Sequence, residues 1–169
     1  MRDHLAQPNA LGHADANACC MRLRRHLGDV IQTNPTVGSN VEEVMHRNVR
    51  FQVWDLGGQD KLRKVWSTYY VGAHAVVLVI DSMDRERLDL VREELNAIVA
   101  HEHLLGSALL VLANKQDVEG ALTAMEISQH LKLHALKQQS WQIQACSALT
   151  GTGLQEGMDW MAHTLRNKR

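Results

Sequence analysis

Cysteine, net charge and long apolar runs are all scarce in this chain, and each scarcity closes off a class of protein. The three cysteines, Cys19, Cys20 and Cys146, are too few and too unevenly spaced for a disulfide framework or a four-ligand zinc site, which predicts a reducing, intracellular setting. The formal net charge is -1 and the pI is near 6.8, so the basic excess of a nucleic-acid surface is missing and no nucleic acid is expected as partner. No apolar run approaches the length of a membrane span, and "MRDHLAQPNAL" puts Asp3, His4 and Pro8 where a signal peptide needs an apolar stretch. Arg2 stands where N-myristoylation needs glycine, and the final "RNKR" is no prenylation signal. The expectation is a cytoplasmic protein whose membrane association is peripheral at most. What is present, 45% hydrophobic and 22% charged residues over 169 positions, suits one domain with a sizeable core.

From about residue 49, short apolar runs alternate with segments of helical period, the pattern of a parallel α/β sheet built from crossover units. Residues 49–54 alternate, 75–80 and 108–113 are continuously apolar as in strands covered on both faces, and 141–147 are mixed. Residues 84–100 carry Leu88, Val91, Leu95 and Ile98 at steps of three and four, an amphipathic helix. Thr123 and Glu126 have capping-box spacing ahead of Ile127 and Leu131, and a last helix from about residue 153 has Leu154, Met158, Met161 and Leu165 as its buried stripe. His101 and His103, two apart near a helix end, are expected to point away from each other at the surface rather than pair on a metal. Residues 1–26 carry no strand-like run and read as a divergent, poorly ordered segment ahead of a domain at 27–169.

Three strands are followed at their carboxyl ends by polar, turn-rich motifs, and in open α/β sheets that edge is where ligands bind. In "ANKQD" (113–117) Asp117 offers two acceptor oxygens matching the adjacent N1–H and N2–H donors of guanine and mismatching adenine. Lys115 can lay its stem along the base, Asn114 can tie neighbouring loops, and the N–H of Ala148 in "SALTGTG" (147–153) is within reach of guanine O6. The plainer alternative is a helix-start turn that Asp117 caps. In "WDLGGQD" (54–60), Gly57 and Gly58 let the backbone approach a terminal phosphate, Gln59 is placed to orient an attacking water, and Asp55 to hold a metal's water shell; the alternative is a glycine turn after a strand. Thr36 in "NPTVGSN" (34–40) is a hydroxyl suited to Mg²⁺, or part of an ordinary turn.

"PTVGSNVEE", "WDLGGQDKLRKVWSTYY", "DSMDRERL", "REEL", "ANKQD" and "ALTGTGL", in this order, resemble the ADP-ribosylation-factor (Arf) family of small GTPases, and "GSNVEE", "AHEHL", "AMEISQH" and "WQIQACSALTG" resemble its Arf-like protein five subgroup. The resemblance implies a Ras-like P-loop NTPase fold with a mostly parallel six-stranded sheet and flanking helices. It also implies GTP/GDP and Mg²⁺ as cofactors, two switch loops that recruit trafficking effectors and exchange or activating proteins, a monomer, and Golgi-associated vesicle traffic. By the same resemblance Thr36 and Asp55 would serve the metal, Gly57 and Gly58 the γ-phosphate, and Gln59 the hydrolytic water. Asn114, Lys115, Asp117, Ser147, Ala148 and Leu149 would serve the guanine. Trp54, Trp66 and Tyr69 match the family's aromatic effector patch, with core packing as the alternative.

Counting back from Thr36, the phosphate loop G-x-x-x-x-G-K-[ST] falls on residues 12–19, "GHADANAC". Gly12 matches, but Asn17 replaces the second glycine, Ala18 the lysine and Cys19 the metal-binding hydroxyl. A side chain crowds the phosphates, the gripping charge is gone, and a soft sulfur replaces a hard oxygen. The family's first strand is expected to be absent as well, since "MRDHLAQPNAL" does not read as one, which would expose two ladder edges. Two functions follow: a GTP-hydrolysing trafficking switch, as the family implies, or a nucleotide-binding-deficient pseudo-GTPase or truncated isoform that keeps only its interaction surface. The residues of this loop favour the second for activity.

Overall fold

The computed structural model describes residues 10–12, 39–56, 63 and 65–168. Six strands form one sheet in the order β2-β3-β1-β4-β5-β6: β1 Ala10–Gly12, β2 Ser39–His46, β3 Val49–Leu56, β4 Ala75–Asp81, β5 Ala108–Asn114 and β6 Ser140–Ala145. Among the described residues only the β2·β3 hairpin is antiparallel, and the other pairings are parallel. Three α-helices among the described residues, α1 Leu88–Ala100, α2 Ala124–His130 and α3 Leu154–Asn167, cover it.

The continuous apolar run of β5 has its cause in this layering. All seven of its residues are buried. Leu109, Val111 and Ala113 face one core layer, with Leu88, Val91, Leu95 and Ile98 of α1 and Ile127 of α2. Ala108, Leu110 and Leu112 face the other, with Met158, Met161, Ala162 and Leu165 of α3 and Phe51 and Val53 of β3. Side chains alternate along a strand, so a strand covered on both faces is apolar on both, here through Ala113, and the buried polar residue Asn114 comes only at its end. The expected helix stripes are the buried ones, and Thr123 and Glu126 form the full capping box at the start of α2.

Two expectations are corrected. The first strand is present: Ala10 and Leu11 pair with Asp55 and Leu56 of β3, and Leu11 and Gly12 with Leu78 and Val79 of β4. A strand paired on both sides is specified largely by its neighbours' backbone groups, so three residues without an apolar run suffice to join the two halves of the sheet. His101 and His103 do not diverge, because an extended His101 followed by a 3-10 turn brings their rings to 5.5 Å while His101 packs edge-on against Tyr70. No metal-holding group of histidine, cysteine or carboxylate occurs among the described residues.

Candidate nucleotide-binding site

Parallel pairing brings the carboxyl ends of five strands to one edge. Gly12 ends β1 beside Val79, Asp81 ends β4 opposite Asn114, and Ala113 of β5 faces Ala145 of β6. The polar motifs that follow therefore converge, as a sheet of this topology requires.

Asn114 is buried, and its Oδ1 accepts a 2.8 Å bond from the backbone N–H of Ala148, joining the β5 and β6 loops. The Ala148 N–H, expected to reach guanine O6, is thus committed to Asn114, since a buried amide must find an acceptor and this one is nearest. Asp117 is exposed, and its Oδ1 accepts a 2.5 Å bond from Ser147 Oγ, a second tie between the loops. Ser147 Oγ also accepts from Thr150 N–H at 3.1 Å, and Ser147 N–H donates to the Thr152 carbonyl at 2.9 Å, closing the 147–153 loop on itself. Leu149 stands exposed at its crest. Behind Asn114 lies Cys146, whose thiol burial pushes up to about 12, so it stays a neutral, apolar backing.

Lys115 takes the left-handed backbone conformation at φ 68°, and its Nζ donates to Asp81 Oδ2 at 2.7 Å. Asp81 also accepts from Met83 N–H at 2.9 Å. Asp55, the expected metal-side carboxylate, is buried at the end of β3, across from Ala10 of β1 and Asn40 of β2. Thr36, Gly57, Gly58 and Gln59, with positions 13–19 of the phosphate loop, lie outside the described residues.

The structure therefore places Asn114, Lys115, Asp117, Ser147, Ala148 and Leu149 on two adjoining loops at one edge of the sheet, with Asp81 beside them. An ADP-ribosylation factor family model matches residues 11–165. The chain belongs to the ADP-ribosylation factor family. This Arf-family chain is 52% identical over 140 residues to ADP-ribosylation factor-like protein 5A of Bos taurus, covering 83% of this chain and 78% of that one. It is 53% identical over 135 residues to ADP-ribosylation factor-like protein 5 of Dictyostelium discoideum, covering 80% and 74%. Its fold matches the Arl6 BBS3 small GTPase of Trypanosoma brucei, solved with the nucleotide analogue GppNp, at a TM-score of 0.85 and 32% identity over 96% of this chain and 99% of that one. The Arf family, the Ras-like fold and the subgroup resemblance are all borne out, and with them the architecture of a GTP-binding switch.

Within this Arf-family frame the aromatic residues divide. Trp66 is 2% exposed and belongs to the core, whereas Trp54 and Tyr69 are half-buried with ring centroids 5.3 Å apart. Three site-bordering residues carried no role in the sequence reading: Asp81, which pairs with Lys115, and Ser82 and Gln116, which bond each other at 2.9 Å. The signal for Asp81 was a carboxylate ending an apolar strand; Ser82 and Gln116 carry none that spacing reveals.

Proposed function

We propose that this chain is an Arf-type switch that binds GTP and GDP, acts in Golgi vesicle traffic, and presents a nucleotide-dependent surface to effectors and exchange or activating proteins. The carrying observation is the pair of ties, Asn114 to Ala148 and Ser147 to Asp117, that fixes an exposed carboxylate beside a buried amide at the ligand-binding edge of the sheet. The donor set fits guanine. Asp117 accepts the adjacent N–H donors of the base, and release of the Ala148 N–H from Asn114 would give guanine O6 its donor. On the phosphate side, Asp55 has the hard oxygen that Mg²⁺ prefers, and Thr36 and Gln59 have the chemistry to serve the metal and to orient a hydrolytic water. A bound magnesium ion would neutralise phosphate charge. The support for Golgi traffic and hydrolysis is the resemblance to Arf-like protein five. The same resemblance supports a monomer, and the scarcity of cysteine and of long apolar runs supports a cytoplasmic, peripherally attached protein.

A second reading is favoured by Asn17, Ala18 and Cys19: a non-cycling interaction module. Purification of the full chain followed by chromatography of released nucleotide separates the two. Stoichiometric GDP, or titratable GDP binding that ADP does not reproduce, upholds the switch; a folded protein with neither leaves the module. The triple change Asn17→Gly, Ala18→Lys and Cys19→Thr restores a charge partner of about 2–5 kcal/mol, so GTP affinity should rise at least tenfold. An unchanged affinity would show that the loop is not what limits binding.

A further inference from the structure

Gln116 lies inside the base-reading motif, yet its carboxamide is bonded to the protein itself. Its Nε2 donates to Ser82 Oγ at 2.9 Å and to the Leu122 carbonyl at 2.9 Å, and its backbone N–H donates to the Cys146 carbonyl at 3.1 Å. Ser82 is fully buried; its own N–H donates to the Asn114 carbonyl at 3.1 Å, and its carbonyl accepts from Leu122 N–H at 2.9 Å. The side chain thereby joins the end of β4 to the segment leading into α2, while the backbone N–H of the same residue ties the end of β5 to the end of β6.

The brace sits between two residues that need one. Lys115 before it is left-handed at φ 68°, a conformation that a residue with a Cβ holds only when its surroundings impose it. Asp117 after it is exposed. A rotation at Lys115 would swing the Asp117 carboxylate, and two parallel hydrogen bonds to a base tolerate little misalignment. We propose that Gln116, braced by buried Ser82, is a positioning residue for guanine selectivity: it locks the left-handed turn at Lys115 and so aims Asp117 at the base.

The proposal rests on the guanine reading above, and its test separates the two. The probes are GDP and inosine diphosphate, which lacks only the 2-amino group that Asp117 reads, titrated into the full-length chain and its variants. The parent should prefer GDP by about tenfold, the value of one such hydrogen bond. Gln116→Met, similar in size but without hydrogen-bonding groups, should bring the ratio close to one. Ser82→Ala, a smaller change that keeps the fold if Gln116→Met does not, should lower it in the same direction, and the double variant should lose no more than Gln116→Met alone. A residue serving only stability would weaken both nucleotides equally, so an unchanged ratio in folded Gln116→Met or Ser82→Ala overturns the proposal. If the parent binds neither nucleotide, the guanine reading fails, and the brace is read without ligand. The amide protons of Gln116 and Ala148 should then exchange faster and the Lys115 HN–Hα coupling should change in both variants; unaltered values overturn it.

Discussion

Asp117 and Asp159 are both carboxylates near the surface, yet their surroundings give them opposite tasks. Asp117 has one described bond, from Ser147, and contributes little to the fold. Asp117→Ala should therefore leave the unfolding temperature within a few degrees of the parent while weakening GDP binding by about a hundredfold, the loss of two hydrogen bonds to a charged acceptor. Calorimetry on one preparation reads both. Asp159 instead ties α3 to the β2·β3 hairpin: Arg47 grips it with Nε at 2.9 Å and Nη2 at 2.8 Å, and His46 Nε2 lies at 2.5 Å. The Arg47 hydrogen bond, the largest influence, outweighs the opposing cost of burial and, with a lesser contribution from the His46 bond, brings its carboxyl down from the ordinary 3.8 to about 2. A carboxyl held lower in the folded than in the unfolded chain stabilises above its unfolded value, and that stabilisation fades as pH falls through the folded one. Parent and Asp159→Asn should thus differ in unfolding temperature by a few degrees at neutral pH, with the gap closing between about pH 4 and pH 2. A gap independent of pH over that range would remove the charge from the account.

The elements legible in the sequence are those whose burial is one-sided and periodic or two-sided and continuous. The α1 stripe and the unbroken run of β5 were both readable because packing dictates a residue type at every position. β2 was not, because as the outermost strand it buries few residues and exposes Val41 and Met45, so its pattern is polar and broken. The turn joining β2 to β3 is equally quiet: Arg47 and Asn48 both have positive φ, as in a primed two-residue hairpin, without the glycine that usually announces one. The tie from Arg47 to Asp159 helps hold that conformation, and it spans 112 residues, beyond any local pattern. The site shows the same division. Asn114 and Asp117 were readable from their motif, whereas the bonds that hold them run to residues remote in sequence. Gly153, at the start of α3, was visible as a glycine but not for its reason. It has φ 76°, and a Cβ there would lie 2.0 Å from the Ala145 carbonyl oxygen of β6. Since a backbone atom cannot step aside, Gly153→Ala should cost about 2 kcal/mol or more and loosen the 147–153 loop against β6. Urea unfolding measures the first effect and amide exchange at Ser147 the second; parental values of both would mean that β6 yields.

At the scale of the whole molecule, three residues carry a disproportionate share of the topology. The sheet has a left part, β2 and β3, and a right part, β4, β5 and β6, and β1 joins them. Without Ala10–Gly12, β3 and β4 would each lose a parallel partner, and the Gly12 end of β1, where a phosphate loop departs in this fold, would lose its place in the sheet. A poorly packed N-terminus and a central strand predict different outcomes for one substitution. If residues 1–26 were loosely attached throughout, Leu11→Pro would be silent. As the middle residue of a strand paired on both sides, Leu11 cannot become proline without losing its N–H and forcing a ring into the ladder. The expected loss is about 3 kcal/mol or more, and because the strand joins both parts, unfolding should also become less cooperative, with a shallower dependence on urea. A silent Leu11→Pro would mean that the two parts of the sheet hold together across that gap without β1.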